Sequence, residues 1–482
     1  MTDAPTRRPS GERKADDRRA AGARRAPAVI RDEENNPFAD VTERVAGSVG
    51  AWLRSPALDF YALIVLGLLL LGLGLTMVLS SSAIMSIASG HSAYSGLWKQ
   101  GRFAIIGIPL LLLASRIPPA TYRRFAWPLL LIGYVLQLLV FVPGLGINVQ
   151  GNQNWIGIAG MSLQPSEMLK LALCVWLGAQ LTRRRDLLAK PAALVVRVGV
   201  PVMIALGLVL AGGDLGTAMV MGVLVGGALW VAGVPKRWFA VLAALAMAGV
   251  LVMAVASPNR MGRIGAWLHG TCTGSLCDQS RHGLMALAEG GWWGVGLGES
   301  RQKWGLLPAS DNDYIFAVIG EELGLIGTLC VLALFVALAY IMLRIMTRSR
   351  DMFVQIAVGA IFSWLLVQAV INMMVVVGLL PVLGVPLPFI SAGGSALIAS
   401  MLALGVLLSF ARHEPDAAAA IRARSSRVRR GATVHAAEES SAPRPVSSVR
   451  ARRLSPSTRA GRAASGSPRT TARRRTRRGD RR

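Results

Sequence analysis

Asp313 is the residue of this chain whose position is best suited to chemistry. It ends a polar stretch and is followed at once by Tyr314, Ile315 and Phe316, so its carboxylate falls where a loop enters a long apolar run. A charge at such a boundary is costly, which makes an acid there a candidate functional group. General acid–base catalysis is one kind of chemistry that a positioned carboxylate can support.

Two further acids follow on the same apolar run. Glu321 and Glu322 lie eight and nine residues after Asp313, and on a helix eight residues correspond to about 12 Å of rise. That distance is too large for either glutamate to share one reacting bond with Asp313. Because a charge inside an apolar segment needs a partner, we predict a buried pairing role for both glutamates, with Arg102 or Lys170.

The composition is that of a membrane domain between two basic tails. Of the 482 residues, 53% are hydrophobic and 16% are charged, whereas soluble chains carry about a quarter charged residues. The formal net charge of +26 arises mainly from arginines near the two ends. We predict a basic disordered cytoplasmic tail over 1–55, a transmembrane domain over 56–411 and an Arg-rich disordered cytoplasmic tail over 412–482, because the tails have too little apolar surface to fold alone.

Apolar runs long enough to cross a bilayer recur through the middle of the chain. We predict an all-α polytopic membrane protein with about ten transmembrane helices, each crossing about 30 Å of hydrocarbon. The predicted helices are Phe60–Ala83, Trp98–Ala114, Phe125–Val142, Ser166–Leu181, Leu194–Ala211, Leu215–Val231, Trp238–Ala256, Tyr314–Met346, Met352–Gly378 and Phe389–Phe410.

Basic residues indicate which side of the membrane each connection occupies. Lys and Arg fall in alternate short loops, such as the one with Arg183 and Arg184, and are absent from the connections Pro143–Pro165 and Leu379–Pro388. Because positively charged loops stay inside, we predict that both termini are cytoplasmic. Residues 257–313 then form a long extracytoplasmic loop between helices 7 and 8.

The extracytoplasmic loop is predicted to be ordered. It contains an apolar run, Leu284–Ala288, and the pair Trp292 and Trp293, residues suited to a membrane interface. It also contains Cys272 and Cys277, thiols that can form a disulfide outside the cytoplasm. The sequence leaves open whether these two cysteines are paired or free.

Four stretches of the chain carry a family resemblance. They are LGESRQKWGLLPASDNDYIFAVIGEELG from Leu297, QPSEMLKLAL from Gln164, GGDLGTAMV from Gly212 and GLLPVLGVPLPFISAGGS from Gly378. In this order and spacing they resemble the SEDS family of polytopic membrane glycosyltransferases, which includes FtsW, RodA and sporulation relatives. The resemblance implies that the chain polymerises lipid II, an undecaprenyl-pyrophosphate-linked disaccharide-pentapeptide, into the glycan strands of peptidoglycan.

The resemblance also implies that Asp313 is catalytic. It matches the family's acid that precedes an aromatic residue, Ile and Phe at this loop-to-helix joint. Taken alone, Asp313 would be read as a helix N-cap, for which Asp is preferred, and Asp311 is an acid two residues away that does not match. The chain departs from residues common in the family at Ala309, Asp311, Asn312, Asn154 and Ala392.

One carboxylate suffices for the implied reaction, with Asp313 as the general base that takes the proton of the attacking hydroxyl group. A sugar hydroxyl attacks the anomeric carbon while pyrophosphate leaves, and a single displacement of this kind inverts the linkage, unlike the retaining route with its second carboxylate. Arg102 and Lys170 are candidates for stabilising the leaving pyrophosphate, and a divalent cation, Mg or Mn, is the alternative. No cofactor is otherwise expected.

The remaining polar residues of the spans have structural as well as functional interpretations. Glu167 and Lys170 are either a satisfied i,i+3 pair or substrate contacts, and the sequence does not decide between these. For Asp214, after two glycines, an N-cap role is favoured. Gln164, Pro165 and Ser166 are explained as a helix start, where Pro and a capping hydroxyl are favoured. The predicted substrate-binding residues are Arg102, Glu167, Lys170, Asp214, Gln302, Lys303, Asn372 and Ser391, and the predicted structural residues are Gln164, Pro165, Ser166, Glu321, Glu322, Gly393 and Gly394.

The resemblance implies partners and a location. The long basic tails favour the division branch of the family, at the septum of the bacterial plasma membrane, over the elongation branch. A class B penicillin-binding transpeptidase and other division proteins are the implied protein partners. The basic tails are candidates for anionic lipid, and nucleic acid is the least favoured partner. The alternatives are a lipid II flippase, an elongation polymerase and an inactive scaffold.

Overall fold

The computed structural model describes residues 56–149, 152–158, 160–183, 191–255, 258–269 and 275–414. The tail predicted for 1–55 lies outside the described residues, and so does nearly all of the tail predicted for 412–482. Cys272 is also outside them, and the side chain of Cys277 is not described. The pairing of the two cysteines therefore stays a prediction.

The first part of the chain consists of four helices, a small sheet and a fifth helix. The elements are α1 (Pro56–Ala88), α2 (Ser95–Arg116), α3 (Pro119–Arg124), α4 (Ala126–Leu138) with a 3₁₀ turn at Leu139–Phe141, β1 (Gly146–Val149), β2 (Asn152–Ile158), β3 (Met161–Leu163) and α5 (Pro165–Arg183). The strands form an antiparallel meander in the order β1-β2-β3. No strands were predicted for Pro143–Pro165, because the four residues of β1 and the three of β3 are too few for a clear alternation of apolar and polar residues.

The middle part carries six helices and one π turn. The elements are α6 (Pro191–Leu194), which continues through a π turn at Val195–Gly199 into α7 (Val200–Ala211), then α8 (Leu215–Val231), α9 (Lys236–Val255), α10 (Pro258–His269) and α11 (Ser275–Gly290). The last two helices lie in the predicted extracytoplasmic loop, and α11 contains the run Leu284–Ala288. Over these described parts, the prediction that the loop is ordered is confirmed.

The last part consists of three long helices and an irregular segment. The helices are α12 (Ile315–Arg348), α13 (Met352–Val376) and α14 (Gly394–His413). Helix α12 is interrupted at Gly324, whose φ of 67° and ψ of −165° are not helical. Residues 377–393 connect α13 to α14 without regular structure. Helix α14 begins at Gly394 and not at Phe389 as predicted, because Phe389 has a φ of 66°, which cannot continue a right-handed helix.

Seven of the described helices are long and apolar enough to cross a membrane. Two shorter apolar helices, Ala126–Phe141 and Leu215–Val231, lie at two further predicted spans. Helix α5 lies at the remaining one, where Glu167 and Lys170 lower the apolar content. The total of ten membrane crossings stays a prediction.

The core of the fold is formed by α5, α13 and α14. Trp176 of α5 and Trp364 of α13 are fully buried. A Cβ at Gly178 would lie 3.0 Å from the carbonyl oxygen of Phe353, so α5 and α13 approach each other closely. The ring of Phe353 in turn packs edge-on against that of Phe410 in α14, with 5.7 Å between centroids.

The outer helices present apolar side chains to their surroundings. Leu68, Leu113, Ile132 and Met203, on four different helices, are all exposed, and no residue of the apolar window in α9 is buried. So much exposed apolar surface is unfavourable in water and is what a hydrocarbon environment requires of helices. The chain is a multi-pass membrane protein.

Candidate functional site

Asp313 lies in a turn just before α12 and does not cap that helix. The N-cap residue is Tyr314, and no side chain forms a capping hydrogen bond there. One carboxylate oxygen of Asp313, Oδ1, is buried without a hydrogen-bond partner among the described residues. The other, Oδ2, lies beside Gly384, where a Cβ would be 3.7 Å away. The structure therefore excludes the N-cap interpretation for Asp313.

The backbone on either side of this carboxylate is held from outside the turn. The carbonyl oxygens of three consecutive residues, Asp311, Asn312 and Asp313, each accept a hydrogen bond. The donors are the backbone N–H of Ala392 at 2.9 Å, the hydroxyl of Ser391 at 2.7 Å and the side-chain amide of Asn372 at 2.8 Å, respectively. We call these three hydrogen bonds the carbonyl clamp. It joins the turn to α13 and to the segment before α14.

Asn372 and Ser391 are buried and have further partners. The Asn372 amide also donates to the carbonyl of Val385 at 2.8 Å, and the Ser391 hydroxyl accepts from the N–H of Leu387 at 2.7 Å. Only 2% of Asn372 and 4% of Ser391 is exposed. Their substrate-binding role stays a prediction, and the contacts that they make here are structural.

The electrostatic surroundings raise the pKa of Asp313. Burial is the main cause, and the carboxylates of Asp311 and Asp214 add to it, while the guanidinium of Arg263 opposes it. The resulting pKa is about 6. Burial likewise raises the pKa of Asp311, against the attraction of Lys99. A carboxylate with a pKa near neutral pH is well matched to general-base catalysis.

Glu167 and Lys170 form a buried ion pair. Lys170 Nζ lies 2.9 Å from Glu167 Oε1, and each side chain is 1% exposed. The same Nζ donates to Gln368 Oε1 at 2.8 Å, and the Gln368 amide donates to the carbonyl of Pro386 at 2.8 Å. Of the two interpretations left open by the sequence, these contacts favour the satisfied pair, because neither charged group is accessible.

Asp214 is an N-cap, as favoured from the sequence. Its carboxylate accepts from the N–H and the hydroxyl of Thr217, both at 2.8 Å, at the start of α8. The Gln164 side chain also donates to it at 2.9 Å. This network joins the start of α8 to the residue before α5. A substrate-binding role for Asp214 stays a prediction.

The segment Gln164, Pro165 and Ser166 starts α5. Pro165 is the first helical residue, where its missing N–H costs nothing. The N–H of Gln164 donates to the hydroxyl of Ser395 at 3.1 Å. The hydroxyl of Ser166 is buried without a hydrogen-bond partner among the described residues, so the expected capping hydroxyl is not supplied by Ser166.

The predicted partners of Glu321 and Glu322 are wrong. Glu321 accepts from the hydroxyl of Ser300 and from backbone N–H groups of the preceding loop. Glu322 Oε1 lies 2.8 Å from the Nζ of Lys303, and its carboxylate also accepts from Ser80 at 2.7 Å. Neither Arg102 nor Lys170 contacts them.

The break in α12 explains this pairing. Backbone N–H groups of Val295 and Gly296 donate to the carbonyls of Glu321 and Glu322 at 2.9 and 3.1 Å. A Cβ at Gly324 would lie 2.4 Å from the nitrogen of Gly294, so glycine is needed where the loop meets the helix. The returning loop places Lys303 at Glu322.

Gln302 and Lys303 are therefore buried, at 5% and 1% exposure. The Gln302 amide donates to Glu289 at 3.2 Å, and its oxygen lies 2.8 Å from the Nδ1 of His282. Their predicted substrate contacts stay predictions.

The two predicted structural glycines lie at the start of α14. Gly393 is the N-cap residue, and a Cβ at Gly394 would lie 2.3 Å from the ring of Phe103 in α2. A side chain at Gly394 would push α2 and α14 apart. These glycines allow the two helices to meet beside the carbonyl clamp.

Two cavities lie next to the turn that carries Asp313. The larger, of about 500 Å³, is lined by serines of α1 and by Lys99, Lys303 and Asp311. The smaller, of about 310 Å³, is lined by Lys99, Arg102, Trp155 and Asp311. Asp311 and Lys99 line both cavities, and Asp313 lines neither.

Lys99, which lines both cavities, was not among the predicted site residues. It lies three residues before Arg102, so the two cations share one face of α2. Both side chains are exposed, and neither forms an ion pair with a described residue. The i,i+3 spacing of two cations in an apolar helix was the signal that could have identified Lys99.

A resident metal site is not evident in the part of the chain that the structure describes. No group of three or more His, Cys, Asp or Glu side chains there could hold a metal ion. A divalent cation would need oxygen ligands from a substrate in addition to protein carboxylates, as is usual for Mg²⁺.

Comparisons with known structures show the fold. A chain of a peptidoglycan synthase complex aligns with a TM-score of 0.59 and 24% identity over 74% of this chain and 98% of that chain. The crystal structure of the rod shape determining protein RodA of Thermus thermophilus aligns with a TM-score of 0.54 and 24% identity over 74% of this chain and 97% of that chain.

Comparisons with sequences show the family. A probable peptidoglycan glycosyltransferase FtsW of Mycobacterium tuberculosis is 38% identical over 393 residues, which are 81% of this chain and 74% of the relative. Stage V sporulation protein E of Bacillus subtilis is 34% identical over 356 residues, 73% of this chain and 96% of the relative. Residues 61–416 match the cell cycle protein family of FtsW, RodA and SpoVE. The chain belongs to this family.

Proposed function

We propose that this protein is a peptidoglycan glycosyltransferase that polymerises lipid II, with Asp313 as the general base. The supporting observation is the state of the Asp313 carboxylate. It has one buried oxygen without a described partner, its pKa is raised to about 6 and its backbone is fixed by the carbonyl clamp. The relatives named as peptidoglycan glycosyltransferases support the same activity.

The chemistry follows from a single carboxylate. Asp313 takes the proton of an acceptor sugar hydroxyl while the oxygen of that hydroxyl attacks the anomeric carbon of the donor. The bond from that carbon to the pyrophosphate oxygen breaks, and the pyrophosphate leaves with the bonding electrons. Attack from the face opposite the leaving group inverts the anomeric centre. Holding the two lipid-linked substrates in line contributes much of the rate.

The smaller cavity is the proposed place for the leaving pyrophosphate. Lys99 and Arg102 line it, and cations aimed at a leaving group stabilise the charge that develops there. A divalent cation, Mg or Mn, bound together with the pyrophosphate is proposed as an alternative or an addition. Exposed apolar surface on the outer helices allows the undecaprenyl chain to stay in the bilayer.

Asp311 is the alternative base, because it lines both cavities. Asp313 is preferred because its carboxylate is more enclosed and matches the SEDS motif. Substituting each acid by its amide separates the two assignments while keeping side-chain shape.

The test is polymerisation of lipid II by the purified protein. We expect Asp313→Asn to lower the rate of strand formation by 10²–10⁴-fold, the usual contribution of a general base, and Asp311→Asn to lower it by less than about tenfold. If Asp311→Asn lost activity while Asp313→Asn kept it, Asp311 and not Asp313 would be the general base. Lipid translocation without polymer from the unchanged protein would favour the flippase.

The cellular role and the orientation are part of the same proposal. We propose that the protein acts at the division septum with both termini in the cytoplasm, beside a class B penicillin-binding protein. The supporting observations are the positive loops, the tails and the fold shared with a chain of a peptidoglycan synthase complex. Co-purification with the transpeptidase and septal fluorescence of a tagged chain test this role, and uniform lateral fluorescence would favour elongation.

A further inference from the structure

We propose that Asn372 and Ser391 are positioning residues for the glycosyl transfer, acting on Asp313 through the backbone carbonyls of the turn. This inference rests on the proposed function, because it assigns the two side chains a role in the reaction of Asp313. Neither side chain is placed in contact with the substrate. Their role is to keep the base where the acceptor hydroxyl can reach it.

The turn has few hydrogen bonds of its own. It is built on Ala309, a non-glycine residue with a φ of 54°, whose carbonyl accepts from the N–H groups of Asn312 and Tyr314, both at 3.1 Å. The backbone bonds that begin α12 start at Tyr314, whose carbonyl accepts from Ala317 at 2.9 Å. The carbonyls of the three residues between Ser310 and Tyr314 are therefore free to be bound from outside.

The carbonyl clamp supplies the missing partners from two elements distant in sequence. The hydroxyl of Ser391 donates across 79 residues to Asn312, and the amide of Asn372 donates across 59 residues to Asp313. Both donors are buried. A buried hydrogen bond without competing water fixes geometry more strongly than an exposed one.

The donors are themselves fixed. The Asn372 amide donates in addition to Val385, and one turn earlier on α13 the Gln368 amide donates to Pro386. Gln368 is oriented by Lys170 and by the indole N–H of Trp364, which both donate to its oxygen. The segment that carries Ser391 is thus attached to the rigid helix α13, and the turn is attached to both.

Small displacements of a base have large effects on rate. A shift of about 1 Å in a reacting group can cost about 10²-fold. Losing the Asn372 amide would free the carbonyl of Asp313 itself, and losing the Ser391 hydroxyl would free the neighbouring carbonyl. Substitution at either position is expected to move the Asp313 carboxylate without changing its chemistry.

The pH dependence of activity would reveal a displacement of the Asp313 carboxylate. The charged groups that act on Asp313 are Arg263 of α10, Asp311 of the turn and Asp214 at the start of α8, and burial is the largest influence. A turn released from the clamp lets water reach the carboxylate, which lowers its pKa towards the ordinary value. The acid limb of activity then moves to lower pH, which a loss of stability alone would not cause.

The experiment compares Asn372→Ala and Ser391→Ala with two matched controls. Gln355→Ala removes an amide that donates to the carbonyl of Ser349 at the other end of α13. Ser409→Ala removes a buried hydroxyl that donates to the carbonyl of Ile117, about 22 Å along α14 from its first residue. The measurements are kcat and KM for lipid II polymerisation, their pH dependence and the unfolding temperature of the purified full-length protein.

We expect kcat to fall by about 10- to 100-fold for Asn372→Ala and somewhat less for Ser391→Ala, with KM changed less than about threefold. We expect the acid limb to move about one pH unit lower in both, and to stay in place in the controls. Ser391→Thr, which keeps the hydroxyl, should recover most of kcat.

An unchanged kcat and acid limb in Ser391→Ala and in a folded Asn372→Ala would overturn the inference, whatever the change in unfolding temperature. If Asn372→Ala does not fold, Ser391→Ala, which removes only a hydroxyl group, tests the inference by the same criteria. A fully active Asp313→Asn would instead overturn the proposed function, so the two failures are distinguishable.

Discussion

The Nζ of Lys170 lies 2.9 Å from Glu167 Oε1 within α5, and each of these charged side chains is 1% exposed. The pair lies among buried residues of α5 and α13, with Lys170 Nζ also 5.0 Å from the centroid of the Trp364 ring. A charge so enclosed is stable only with its partner, so removing one member leaves the other uncompensated. The loss of stability on removing one member therefore distinguishes a structural Glu167–Lys170 pair from a substrate contact.

Lys170→Met is expected to destabilise the protein by about 3–5 kcal/mol, because it leaves Glu167 buried and unpaired. The double variant Glu167→Gln with Lys170→Met should recover most of that loss. Thermal unfolding of the purified variants measures both effects. A raised KM with unchanged unfolding temperature in Lys170→Met would instead support the substrate contact.

Activity should depend on pH through Asp313. A general base must be ionised, and the pKa of Asp313 is about 6, so polymerisation should rise with pH up to about 6 and then level off. Below this pH the rate should fall about tenfold per pH unit. Initial rates between pH 4.5 and 8 test this, with unfolding temperatures at each pH as the control. A flat profile through pH 6 in a folded protein would contradict the prediction.

The same carboxylate should lower stability at neutral pH. Burial raises its pKa from 3.8 to about 6, so the folded state binds the proton more tightly than the unfolded state. Stability from this group is present below pH 3.8 and is lost as pH rises through about 6. Asp313→Asn should therefore increase the free energy of unfolding at pH 7.5, by at most about 3 kcal/mol. Equal unfolding temperatures for both proteins at pH 7.5 would argue against this.

Gly384→Ala should impair catalysis. Gly384 has a φ of 68°, and an added Cβ would lie 3.7 Å from Asp313 Oδ2. The left-handed conformation alone costs about 1–2 kcal/mol with a side chain. The matched control is Gly233→Ala, whose φ of 84° imposes the same strain with no atom within 4 Å of the added Cβ. We expect similar losses of stability, with a larger loss of kcat at Gly384, and equal kcat values would count against the contact.

Lys303→Met should destabilise the returning loop before α12. Lys303 is the ion-pair partner of Glu322, at 2.8 Å, and both side chains are almost fully buried. We expect a loss of about 3–5 kcal/mol, measured by thermal unfolding. Lys99→Met is the control, because Lys99 is exposed and its replacement should change stability by less than about 0.5 kcal/mol. Similar unfolding temperatures for the two variants would show that the Lys303 pair contributes little.

The features determined by the sequence itself are those that depend on neighbouring residues. Apolar runs of sufficient length placed the helices, since hydrocarbon selects segments by local composition. Pro165 at a helix start and Asp214 before a helix were predicted from capping chemistry, which involves residues within one turn. The loop-to-helix joint made Asp313 a candidate, because an acid beside an apolar run is visible without a structure. The family resemblance then favoured a catalytic role over an N-cap.

The tertiary structure decided how distant segments meet. The sequence could not pair Glu322 with Lys303, because that contact depends on the break at Gly324 and on a loop that returns to it. The carbonyl clamp joins residues 59 and 79 positions apart. The acceptor of a side-chain hydrogen bond to a backbone carbonyl cannot be predicted from residue type, since every residue offers the same carbonyl group. Which carbonyl Asn372 or Ser391 binds is therefore set by how α13 and the irregular segment before α14 pack against the turn.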